Sequence, residues 1–103
     1  MSERKSVVFL NRLDQPLEVD ICAIPDWDGF DKLIQFMKNE YAVEVVNRFD
    51  GPDARRWVLK AEGVEFELRH DDPYGNTLVA TMAGSETFVN KIGLDLENRL
   101  KNI

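Results

Sequence analysis

Residues 55–83 read RRWVLKAEGVEFELRHDDPYGNTLVATMA, and their alternation decides the fold. Trp57, Leu59 and Ala61 alternate with Arg56, Val58 and Lys60. Glu62-Gly63 then offers a two-residue turn. Glycine supplies the positive φ that a tight hairpin needs, whereas glutamate is a poor first residue for a type I′ turn. With that turn, Ala61 faces Val64, Leu59 faces Phe66 and Trp57 faces Leu68 on one side of the hairpin. Lys60 faces Glu65 on the other side, an opposite-charge pair. A slip of one residue would set leucine and phenylalanine against charges, so the register is well specified. Residues 71–75, with proline and glycine, make the next loop. Residues 76–83 then return as a third strand that places Leu78, Ala80 and Met82 beside Leu68, Phe66 and Val64.

The pattern extends upstream. Residues 42–49 read as a strand with Val43, Val45 and Phe49 on the inner face, and Asp50-Gly51-Pro52-Asp53 turns the chain into Arg55. Residues 6–13 read as a strand whose Val-Val-Phe-Leu run lacks alternation, which implies burial on both faces or an interface. Residues 17–23 alternate, with Leu17, Val19, Ile21 and Ala23 on one side. Between these segments, Pro25-Asp26-Trp27-Asp28 opens a helix to about Tyr41. Asp26 or Asp28 is its expected N-cap, and Asp31 in the first turn suits the helix dipole. Trp27, Phe30, Leu33, Ile34, Met37 and Tyr41 form one stripe, and Trp27 is expected to staple into the core. A second helix follows Gly84, with Ser85 as N-cap. Its stripe is Phe88, Val89, Ile92, Leu96, Leu100 and Ile103, with Arg99 and Lys101 at its C-terminus.

The order β-β-α-β-β-β-β-α predicts an α+β two-layer sandwich. It has a mainly antiparallel sheet of five or six strands and two helices on one face. That inner face carries Val43, Val45, Trp57, Leu59, Phe66, Leu68, Leu78 and Met82. The outer face carries Val46, Val58 and Val79 among Arg48, Arg56, Lys60, Glu65, Glu67 and Arg69.

A chain of 103 residues makes one domain, residues 1–103, that buries roughly two-thirds of its unfolded surface. The formal net charge is −6, shared between both halves. This balance argues against a nucleic-acid backbone or an anionic membrane as main partner and favours a basic protein. Cys22 is the single cysteine, so no internal disulfide forms. The first apolar run, Val7 to Leu10, is too short for a signal-peptide core or a membrane span, and a cytoplasmic protein is expected. Monomer and homodimer are both compatible, with residues 7–13 as an edge strand able to pair across a two-fold axis.

The meander puts the 50–54 and 71–75 loops at one end of the sheet, and helix one should begin there. That end gathers Asp26, Asp28, Asp50, Asp53, Asp71 and Asp72, with Tyr74 and His70 beside them. Arg55, Arg56, Arg99 and Lys101 are the available counter-charges. Aspartate is also a turn former and N-cap, so each carboxylate has a local reason to be where it is. As a surface, the cluster with Tyr74 suits a basic protein partner.

His70, Asp71 and Asp72, with Tyr74 assisting, are the only candidates for a metal-dependent enzyme. Adjacent strand residues rarely point at one ion, and no i, i+4 ligand pair accompanies them. Cys22 with His70 lacks any local nucleophile signature. No nucleophile elbow, phosphate loop or dinucleotide fingerprint occurs, and no cofactor is expected. The expectation is a non-enzymatic interaction module: a regulator, adaptor or immunity-type inhibitor. The alternative is the small metal-dependent enzyme.

Overall fold

A computed structural model describes residues 6–11, 14–72 and 74–100. The strands are β1 (Val8–Leu10), β2 (Glu18–Asp20), β3 (Glu44–Asp50), β4 (Ala54–Ala61), β5 (Val64–Asp71) and β6 (Gly75–Val79). The helices are α1 (Trp27–Tyr41), between β2 and β3, and α2 (Ser85–Leu100), after β6. All strands join one antiparallel sheet in the order β1-β2-β6-β5-β4-β3. The expected α+β element order is therefore the observed one.

The β4–β5 hairpin has the register derived from its alternation. Trp57 pairs with Leu68, Leu59 with Phe66, Lys60 with Glu65 and Ala61 with Val64. Its turn uses positive φ at both central positions, 50° at Glu62 and 79° at Gly63. Glutamate in the left-handed region is strained, and asparagine tolerates it better. Glu62→Asn is expected to raise the unfolding free energy by about 0.5–1 kcal/mol. Urea melts would show this as a higher midpoint at unchanged slope.

Both helices lie on the face that carries Trp57, Phe66 and Val19. Phe30 of α1 meets Trp57 edge-on at 5.1 Å between ring centroids, and Phe88 of α2 meets Phe66 at 5.5 Å. Gly93 lets α2 approach β1 and β2, since a Cβ there would stand 2.7 Å from the Phe9 ring. Asp26 caps α1, its carboxylate accepting from Gly29 N at 3.1 Å. The Tyr41 hydroxyl donates to Asp95 and ties the end of α1 to α2. Burial first, and then that acidic partner, push the Tyr41 hydroxyl far above its ordinary pKa.

Four expectations change. First, β6 ends at Val79, with Ala80 N still donating to Leu17 O at 2.9 Å in the β2–β6 register. Met82 therefore leaves the inner face. It is exposed, and its sulfur accepts from Glu65 N at 3.3 Å. Second, the β3–β4 register steps from Val45↔Leu59 to Asn47↔Val58. This bulge at Val46 reverses the alternation that follows it. Phe49, expected inside, lies opposite Arg56 and is 48% exposed. Arg48, expected outside, lies opposite Trp57 with its guanidinium 4.5 Å from the ring centroid.

Third, Ser85 does not cap α2 forward: its hydroxyl donates back to Met82 O at 2.7 Å. Fourth, β1 and β2 are shorter than the segments 6–13 and 17–23, although Leu17, Val19 and Ile21 are buried as expected while Ala23 is exposed. The end of the first segment at residues 12–13, Pro73 of the 71–75 loop, Lys101 and Ile103 lie outside the described residues.

Candidate functional site

The loops converge as the register requires. Ala54 pairs with Asp71, and Asp72 N donates to Asp53 O at 3.1 Å. The start of α1 is tied to the same end by Asn76, whose amide donates to Ile24 O at 2.7 Å and to Asp26 O at 3.1 Å. Asp26, Asp28, Asp50, Asp53, Asp71, Asp72 and Tyr74 therefore share one end of the molecule.

They do not share one state. Asp26 is the N-cap, Asp50 is tied to Arg55 and Trp57, and Asp72 faces His70. The side chains of Asp28, Asp53 and Asp71 make no hydrogen bond or ion pair among the described residues. Tyr74 is 82% exposed. The uncommitted part of the cluster is thus three carboxylates and one phenol.

Beneath this surface lies an arginine that the sequence reading took only as a counter-charge. Arg55 shares the parity of Trp57, so its side chain enters the inner layer and is only 9% exposed. Its guanidinium carbon lies 4.8 Å from the Trp27 ring centroid, 4.4 Å from Phe30 and 4.7 Å from Trp57. It pairs with Asp31 at 3.1 Å and with Asp50 at 3.2 Å. Nη1 is buried with no hydrogen-bond partner among the described residues, within a guanidinium that lies against the three rings. Trp27 is therefore not a core staple: it is 39% exposed and closes the box over Arg55.

Trp57 Nε1 donates to Asp50 at 2.8 Å. This bond, ahead of Arg55 and Arg48, holds the Asp50 carboxyl below its ordinary pKa against a partial desolvation. A depressed folded-state pKa contributes stability above the unfolded value of about 3.9, and that stability is lost as pH falls through the folded value. The wild type should lose part of its urea midpoint as pH falls below about 4. Asp50→Asn, which keeps an acceptor for Trp57, should lose less in that window.

His70 has the inner parity of Leu68 and is 1% exposed. Its Nδ1 lies 2.8 Å from Asn76 Oδ1. Both Asn76 amide protons go to backbone carbonyls, so Oδ1 must accept and Nδ1 carries the proton. Nε2 faces Asp72 at 3.9 Å, beyond hydrogen-bond length. Asp71 lies on the opposite face of β5, so it does not converge with His70. The described residues hold no group of three or more metal-ligating side chains. Alternation already placed Arg55, His70 and Asn76 with the inner leucines. That polar row was the signal for the buried part of the site.

The other expected counter-charges divide. Arg99 is engaged away from this end, with Asp95 at 3.1 Å and Glu40 at 3.6 Å. Arg56 lies on the outer sheet face over Phe49. Cys22 is exposed, and desolvation followed by Asp20 raises its thiol pKa, which weakens it as a nucleophile. No helix among the described residues is long and apolar enough to cross a membrane. No protein-family model matches the chain, and comparison with curated proteins and with solved structures gives no significant match.

Proposed function

We propose that this protein is a non-enzymatic interaction module that meets a basic protein partner through the loop end. The observation that carries the reading is the division within the aspartate cluster. The side chains of Asp28, Asp53 and Asp71 are bonded to nothing among the described residues, and they stand beside the exposed ring of Tyr74. Aromatic rings rimmed by charge supply contact area and steer encounter with an oppositely charged surface. The box around Arg55 supports this by holding Trp27 and the start of α1 rigid, so little ordering cost falls on binding. A regulator, an adaptor and an immunity-type inhibitor all use such a surface.

The test is a quantitative pull-down with the wild type and a variant carrying Asp28→Lys, Asp53→Lys, Asp71→Lys and Tyr74→Ala. Asp53, Asp71 and Tyr74 bond nothing in the described fold and Asp28 only complements the dipole of the first turn of α1, so the variant should keep its circular dichroism and lose only a few degrees of melting point. It should lose the partner. Capture of every partner at unchanged affinity would overturn the reading.

A further inference from the structure

β1 and β3 are the two edges of the sheet, and they are unequal. β3 is guarded. The bulge at Val46 breaks its line, and the Arg48 N–H is taken by Asn47 Oδ1 at 2.9 Å. Bulges and local caps of this kind keep an edge from pairing with another chain. β1 has neither device. The bonds from Ile21 N to Asn76 O and from Ala80 N to Leu17 O turn the odd-numbered residues of β2 toward β6. Main-chain groups alternate along an antiparallel ladder, so Glu18 and Asp20 turn theirs toward β1. Leu10 and Val8 face them there, and Ser6 O accepts from Ala23 N on the same side at 3.0 Å. Val7 and Phe9 therefore direct their N–H and C=O away from the sheet. Those groups have no hydrogen-bond partner among the described residues. The residues from Ser6 to Asn11 carry no charge, in a chain of which 31% is charged. Two copies of an acidic chain repel, so a copy is best met along such a neutral edge.

We propose that β1 is the interface of a homodimer, pairing antiparallel with β1 of a second copy about a two-fold axis through Phe9. In this register each Phe9 exchanges both main-chain bonds with the second copy's Phe9. Val8 stands opposite the second copy's Leu10, and Leu10 opposite its Val8. Both side chains are half-buried on the outer face, beside Asp20 and Glu18. Pairing completes an apolar strip there and sets no like charges opposite each other. β1 is short, so these apolar pairs carry the contact together with the ladder. The acids of the two β2 strands stand three strand spacings apart across the axis, about 14 Å, beyond the Debye length of about 8 Å at physiological salt. The match of β1 to itself favours a second copy over a foreign strand, and an isologous contact closes at two chains.

The experiment combines light scattering with ¹⁵N NMR on the full chain. At millimolar protein the mass should be twice that of one chain and should fall on dilution. The Phe9 amide should be protected from hydrogen exchange in the dimer and lose protection as the dimer dissociates. Added salt should tighten the dimer, because it screens the repulsion between two acidic copies. Val8→Lys with Leu10→Lys sets lysines opposite each other across the axis, on the outer face where the fold is kept. It should leave the circular dichroism unchanged, weaken the dimer by roughly a hundredfold and expose the Phe9 amide. Val46→Lys on the guarded edge should change neither mass nor protection. A single-chain mass at millimolar protein overturns the proposal. So does a dimer whose Phe9 amide is unprotected, one that survives the lysine pair, or one that Val46→Lys abolishes.

Discussion

Arg55→Lys is expected to lower the unfolding free energy by about 2–4 kcal/mol, which for a domain of this size lowers the melting point by about 10–20 °C. The substitution keeps the charge and changes everything else that matters at this position. A planar guanidinium lies against the rings of Trp27, Phe30 and Trp57 while pairing with Asp31 and Asp50. An ammonium is compact and strongly hydrated, so it stacks poorly and resists this burial. Arg55→Met provides the discriminating comparison. It fills the box with an apolar chain, and Asp31 and Asp50 are half exposed and can turn to water. Replacing a buried charge by an apolar isostere is often tolerated, so Met should cost less than Lys. Urea unfolding of both variants checks this. A lysine variant within about 0.5 kcal/mol of wild type would show that the box contributes little.

Asn76→Ala should cost about 3 kcal/mol, because three partners lose their bonds at once. The side chain is fully buried and serves His70 Nδ1, Ile24 O and Asp26 O. Asn76→Asp should be worse at neutral pH, since a carboxylate would face two carbonyl oxygens and can donate to neither. The ionised aspartate is disfavoured in the fold, so its folded pKa would lie above the unfolded value of about 3.9. The gap between the two variants should therefore close as pH falls toward that value and widen as pH rises. Melting curves from pH 4 to pH 8 measure it. Amide hydrogen exchange should show the loss first at the start of α1, which Asn76 ties to the sheet.

The hairpin register, the helix stripes and the meeting of the 50–54 and 71–75 loops were legible because each rests on a local period. Alternation assigns a strand residue to a face, and a two-residue turn then assigns its partner. Phe49 and Arg48 were misplaced for the same reason. A bulge inserts one residue and inverts the period after it, and nothing in Val45-Val46-Asn47 announces the insertion. Met82 was misplaced because β6 stops at Val79, and alternation carried past the end of a strand assigns no face. The aspartates of the candidate surface were found together, and Asp26 was legible as a cap because its partner is three residues away. Asp50 differs from Asp53 only through Arg55 and Trp57, which the folded chain brings near.

By itself, then, the sequence determined the α+β order, the sheet register through β4 and β5, and the gathering of acidic loops at one end. These follow from short-range geometry and the separation of apolar from charged residues. Only the tertiary structure decided that Arg55 would sit among three rings, that Asn76 would set the His70 tautomer, and that Phe49 would lie beside Arg56 on the open face. Those outcomes depend on distances between elements and on one inserted residue, and no local period encodes either.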